Sequence, residues 1–361
     1  MRRKTTASAL RYRSPCRHLA MLVVTVVVTV IALTWSSRSL AIEYGINYDV
    51  VDANTARTSD CKSDPNAAVH QKFVLARYIN APMRAAAQEQ LKALRRSGFT
   101  SVRSIAELFP GPHPSGDLIN TKKIDDTVTS SIHHYVQDVK DAGFAELILA
   151  FGTQGTANPA CRKKEWGDCF DPATVSASVA AEEALIRAAH SVNGISLRLD
   201  LLNEACISKS VPQLVNDNFT QLIGAAVKMH AANFATIPAT VSCQLERTGD
   251  GLAALSRLFI QDGDKIGFFD IHAYPAAQRK EPAILQEAAR SLTGQTAPVI
   301  IGETTYADPD YRSWIAQSYR TAFHRDPPQI IFWPLHATGS GCSFDVALPY
   351  SLKDAMGESR Q

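Results

Sequence analysis

The chain has 361 residues, 45% hydrophobic and 20% charged, with 19 Gly and 18 Pro; this is the make-up of a folded globular protein and excludes a disordered, collagen-like or coiled-coil chain. The overall charge of +2 hides an asymmetry: seven of the 37 basic residues (Arg2, Arg3, Lys4, Arg11, Arg13, Arg17 and Arg38) lie in the first 41 positions, and the other 30 face 35 acidic residues, a net of −5 for residues 42–361. That balance argues against a nucleic-acid binder, which keeps a basic face on its folded part.

The basic start leads into an apolar run of 17 residues, 19–35, followed by Ser36-Ser37-Arg38 and Ser39-Leu40-Ala41. Small residues at Ser39 and Ala41 fit the secretory cleavage pattern, which predicts a signal peptide over 1–41 with a mature chain from 42 to 361. An uncleaved signal anchor is the alternative, because 17 residues stand at the lower edge of what spans a bilayer. Either way the folded part is expected outside the cytoplasm, secreted or periplasmic, or membrane-anchored if the leader stays.

In chain order, β-rich apolar runs occupy 42–50, 99–107, 145–153, 195–203, 235–242, 266–274, 298–303 and 329–335. Helical periodicity marks 85–97, 125–142, 175–192, 211–233, 282–292 and 311–325 between them. Alternating β and α units imply parallel strands, and eight such units over about 300 residues predict a single-domain (β/α)₈ TIM barrel. A doubly wound sheet would normally carry a Gly-rich phosphate loop after an early strand, and this sequence has none.

In such a barrel, chemistry gathers at the C-terminal strand ends. The fourth run ends Asn203-Glu204 and the seventh ends Gly302-Glu303, so each brings a carboxylate to the mouth. The sixth ends Asp270-Ile271-His272-Ala273-Tyr274, where the alternation of a strand puts three polar side chains on one face. The second carries Arg103 and the eighth Trp333. Two carboxylates across a pocket can break an acetal, one protonating the leaving oxygen while the other attacks the anomeric carbon. An aromatic plane stacks on a sugar ring, and an Arg or Tyr beside the nucleophile keeps it ionised and aimed.

At these residues the chain resembles the clan A glycoside hydrolases, retaining (β/α)₈ enzymes of the family 5 and family 39 type. The resemblance implies that Asn203 contacts the sugar 2-hydroxyl, that Glu204 is the acid/base and that Glu303 is the nucleophile. His272 and Tyr274 are similar to the pair beside that nucleophile, and Arg103 and Trp333 match the strand-two Arg and strand-eight Trp. Strand three, with Phe151-Gly152-Thr153, departs from the pattern by lacking the His that family 5 enzymes often carry there. The resemblance further implies an exported O-glycosyl hydrolase acting on a β-linked polysaccharide: a plant-wall glucan, mannan or xylan, or a bacterial exopolysaccharide. A monomer without metal or organic cofactor is expected. A non-catalytic carbohydrate-binding protein or a transglycosylase on the same scaffold is the alternative.

Other positions read less directly. Asp200 shares the inward parity of Glu204 and is expected deeper in the barrel as a structural group, Asp270 could orient His272, and Glu107 could line the cleft. His133 and His134 fall in a helical stretch. Trp166 lies between Cys161 and Cys169, where a disulfide would stiffen the loop after strand three and present the indole as a sugar platform. Six cysteines follow the leader, an even number that suggests disulfides in an oxidising compartment. Barrel order pairs Cys161 with Cys169, Cys206 with Cys243 and Cys61 with Cys342. No metal-ligand spacing of Cys and His appears.

Overall fold

The computed structural model describes residues 42–48, 75–79, 81–109, 119–152, 172–209, 213–274, 281–305 and 309–333. The leader, Trp166, Cys61, Cys161, Cys169 and Cys342 lie outside the described residues. The strands are β1 (Glu43–Asn47), β2 (Ser101–Phe109), β3 (Ile119–Asn120), β4 (Glu146–Gly152), β5 (Ser196–Asp200), β6 (Ala239–Thr240), β7 (Cys243–Gln244), β8 (Phe269–Ala273), β9 (Val299–Thr305) and β10 (Gln329–Trp333). The helices are α1 (Ala81–Arg96), α2 (Asp126–Asp141), α3 (Pro172–His190), α4 (Gln213–Asn233), α5 (Thr248–Gln261), α6 (Glu281–Ser291) and α7 (Pro309–Phe323).

The main sheet runs β6-β5-β4-β2-β1-β10-β9-β8-β7, with β3 added beside β2, and every pairing is parallel. The sheet curls into a TIM-barrel-like α/β fold with helices between successive strands. Its first and last members, β6 and β7, belong to one stretch of chain interrupted only by Val241 and Ser242.

The strands bury both faces, as parallel strands do. One face packs under the helices, with Leu147, Leu149 and Phe151 of β4 meeting residues such as Leu185 and Ile186 of α3 in the main apolar core. The other face turns into the curl. There Ile148, Phe268, Ile300 and Ile331 form a small separate apolar cluster. Beside it Arg198 lies 3.6 Å from the Phe268 ring centroid and reaches Gln329 at 2.9 Å. The next inward positions along β8, β9 and β5 are Asp270, Gly302 and Asp200, so this apolar layer is the floor on which the polar residues stand.

The sequence expectations are corrected at four points. The fourth strand ends at Asp200 rather than 203, because the Asp200 carboxylate accepts the Ser242 amide at 2.9 Å and the chain turns. The fifth, expected over 235–242, shrinks to the short β6, with β7 falling just beyond its expected end, and the second continues to Phe109. Helix α5 has no counterpart among the predicted helices, since Gly249 and Gly251 in its first turn are poor helix formers. Gly251 serves packing instead: a Cβ there would stand 2.2 Å from Cys206 Sγ.

Candidate active site

Arg103 of β2 is fully buried and organises the polar layer. Its Nη1 donates to Glu303 Oε1 at 2.6 Å and to Asn47 Oδ1 at 3.2 Å. Its Nη2 donates to Asp200 Oδ2 and to Asn203 Oδ1, both at 2.7 Å. Nε faces Asp270 Oδ2 at 3.6 Å, too far for a hydrogen bond but close enough for charge pairing. Burial alone would weaken the guanidinium's hold on its proton, but Glu303, Asp270 and Asp200 outweigh that and raise its pKa. Burial pushes Asp200 up despite Arg103, whereas His272 and Arg103 override burial at Asp270 and hold it low.

Glu303 sits on β9, where Gly302 is an extra residue against both neighbouring strands: Ile271 and His272 pair with Ile301 and Glu303, and Ile330 and Phe332 pair with Ile301 and Thr304. Such a bulge re-aims a side chain. It has a steric condition, because a Cβ on Gly302 would stand 1.9 Å from Asp270 Oδ1. Beyond Arg103, Glu303 receives the Tyr274 hydroxyl on Oε2 at 2.5 Å, and His272 Nδ1 lies 3.5 Å from the same oxygen. Burial and the nearby Glu303 carboxylate raise the Tyr274 pKa, so this phenol stays a donor.

Glu204 follows β5 in a turn and has φ 56°, in the left-handed region. Its amide donates to Ser242 Oγ at 2.8 Å, and Gln244 Nε2 donates to its Oε2 at 2.7 Å. His272 Nδ1 lies 3.0 Å from Oε1. One oxygen of Glu204, one of Glu303 and a ring nitrogen of His272 all lie within 4.8 Å of one another. The His272 ring is fully buried; burial would lower its pKa, but Glu303, Asp270 and Glu204 raise it to about 10. A proton on His272 Nδ1 would lie between the two glutamates. A divalent cation on this trio, or on Asp200, Asp270 and His272, would compete with that proton and with Arg103 for the same carboxylates.

The structure thus brings together Arg103, Asn203, Glu204, His272, Tyr274 and Glu303, with Asp200 beneath them, while Trp333 closes β10 opposite Thr305 of β9. Glu107, within β2, is half-buried; burial and the charges of Glu303 and Glu204 push it up to about 7. His133 and His134 line an outer groove of about 540 Å³ between α2 and α3, apart from this cluster. Sequence reasoning missed Asn47, Ser242 and Gln244. Asn47 donates to the Gly302 carbonyl at 3.1 Å, and its inward parity at the end of the first apolar run is the signal that could have found it. Cys206 and Cys243 form a disulfide with Cα atoms 4.8 Å apart, tying the segment after Glu204 to the strand that carries Gln244.

Comparison with known proteins finds no matching family model and no matching curated sequence. Solved structures do share the fold. A β-1,4-mannanase from the sea hare Aplysia kurodai superposes with a TM-score of 0.54 at 9% identity, over 86% of this chain and 95% of that one. A family 5 xyloglucanase from Paenibacillus pabuli gives 0.53 at 11% identity, over 90% and 99%. A homocysteine methyltransferase from Escherichia coli gives 0.51 at 14% identity, over 91% and 99%. Clan A glycoside hydrolases are thus among the chain's structural neighbours, and the methyltransferase shows that the fold alone does not choose a chemistry.

Proposed function

We propose that the chain is an exported retaining β-glycosidase that cleaves a β-linked polysaccharide by double displacement on a closed (β/α)₈ barrel, with β6 and β7 as the two halves of its fifth strand. The observation that carries this reading is the approach of a Glu204 oxygen to a Glu303 oxygen within 4.8 Å. Retaining pairs stand about 5–5.5 Å apart, and inverting pairs need about 6.5–9.5 Å to admit a water. The glycosidase fold of the mannanase and xyloglucanase supports a glucan, mannan or xylan as substrate; an exopolysaccharide of similar linkage fits the same site.

Glu303, steadied by Arg103 and Tyr274 on its two oxygens, attacks the anomeric carbon as the carboxylate. The glycosidic C–O bond breaks as Glu204 gives its proton to the leaving oxygen, and a covalent glycosyl-enzyme forms. Glu204, now ionised, takes a proton from water, whose oxygen displaces Glu303 and restores the original anomer. Asn203 is the contact for the sugar 2-hydroxyl, while Trp333 and Trp166 are stacking platforms. The reading includes a cleaved leader over 1–41, a monomeric mature chain and disulfides joining Cys161 with Cys169 and Cys61 with Cys342.

The test is product analysis over a panel of β-linked polysaccharides. Wild type is expected to release sugars with retained configuration, and Glu303→Gln to release none. Azide is expected to restore turnover to Glu303→Ala with inverted product. Ordinary turnover by Glu303→Gln would refute the assignment.

A further inference from the structure

Glu107 takes no part in the double displacement, yet it opens onto the same cleft. Along β2 the inward positions alternate. Arg103 lies in the polar cluster and Ile105 packs on Ala150 of β4, so Glu107 is the next inward position toward the mouth. It pairs in register with Gly152. A Cβ on Gly152 would stand 2.2 Å from Glu107 Oε2 and 2.6 Å from Oε1. The carboxyl therefore fills the room left by the missing side chain of Gly152, in the strand-three segment where the sequence departs from the family 5 pattern.

No hydrogen bond or ion pair among the described residues engages Glu107. The charged groups that bear on it are Glu303 from β9 and Glu204 from the turn after β5, both acidic. The cations nearby are already engaged, Arg103 by Glu303 and Asp200, and His272 between Glu204 and Glu303. Raised in this way, the carboxyl keeps its proton well above the usual carboxylate range, so it can donate to one sugar oxygen and accept from a hydroxyl. An acidic sugar in its place would set a further negative charge beside the three glutamates, with no unengaged cation among the described residues to meet it.

We propose that Glu107 is a specificity-determining residue whose carboxyl contacts a hydroxyl of an uncharged sugar unit on the mouth side of the reacting acids and turns away uronic acids. The inference rests on the glycosidase reading and narrows its substrate class to neutral glycans.

The experiment is steady-state kinetics of wild type, Glu107→Ala, Glu107→Gln and Gly152→Ala on a neutral β-glycan that wild type turns over, with a β-linked polyuronate alongside and circular dichroism to confirm folding. Glu107→Ala is expected to raise KM about three- to tenfold, the worth of one hydrogen bond, with kcat within about twofold. Gly152→Ala is expected to do the same by displacing the carboxyl. Glu107→Gln is expected to keep a near wild-type KM and to lose the change in KM that wild type shows across about pH 7. An unchanged KM in Glu107→Ala, an equal fall in kcat and kcat/KM, or ready turnover of the polyuronate by wild type would overturn the proposal while leaving the glycosidase intact. Failure of folded wild type on every glycan would remove both.

Discussion

Glu204 holds a backbone conformation that costs a non-glycine residue on the order of 1 kcal/mol or more and persists only when its surroundings fix it. Ser242 fixes the amide, and Gln244 and His272 hold the two carboxyl oxygens. The Gln244 side chain donates to Glu204, while its pairing with His272 is a backbone register that a side-chain change leaves in place, which makes it a clean probe of positioning. Gln244→Met keeps the volume and removes the donor. A hydrogen bond to a charged group is worth about 1.5–3 kcal/mol, so kcat is expected to fall about 10- to 100-fold with little change in KM. Losing a donor to the ionised acid is also expected to move the alkaline limb of the pH–rate profile upward. A fall confined to KM would show that Gln244 serves binding instead.

Strand β9 shows how an element can be legible in kind and hidden in detail. The apolar run before Gly302-Glu303 announces a buried parallel strand ending in an acid, and that much follows from composition. The extra residue at Gly302 does not, because a bulge is set by pairing with two neighbours that the local sequence never mentions. Gly302→Ala would press a methyl into the Asp270 carboxylate and swing Glu303 off line. A displacement of about 1 Å at a reacting group costs about 100-fold in rate, so kcat is expected to drop by that order while circular dichroism holds; wild-type kcat would dismiss the bulge as a device. The sequence overextends the short β6 and stops short of β7 for a related reason, since the apolar residues before β6 read as strand while the ladder survives only where β5 and β8 lie alongside. Helix α5 is hidden because Gly251 answers to Cys206 and Gly249 to Glu287 rather than to helix propensity. Among site residues, Glu204 and Glu303 can be read because they end apolar runs. Gln244 cannot, for its role exists only once Cys206 and Cys243 bring two segments together.

At the scale of the whole molecule, several buried groups make stability fall as pH rises. Glu182 of α3 is fully buried, neither carboxyl oxygen has a hydrogen-bond partner among the described residues, and burial, with Asp200 adding to it, raises its pKa well above the usual carboxylate range. A folded-state acid raised in this way keeps its proton after the unfolded chain has lost it. Stability therefore declines from about pH 4.5 upward, by about 1.4 kcal/mol per unit, until the folded-state pKa is reached. His272 acts in the same direction: its contribution is complete below about pH 6.5 and is lost as pH climbs to about 10. Glu182→Leu is expected to raise Tm at pH 8 more than at pH 5, by scanning calorimetry, and an equal shift at both would show that packing rather than ionisation dominates.

The Cys206–Cys243 bridge closes a separation of 37 residues and fastens the acid's turn to the strand bearing its amide partner. The sheet and helices have their own apolar core, so cytosolic expression in a thiol-rich host is expected to give soluble, compact material of poor specific activity. Exposure to a glutathione redox buffer should then restore turnover in step with loss of titratable thiol, with the far-ultraviolet spectrum unchanged. Oxidative maturation would in that case be the last act of assembly, arming a scaffold already in place.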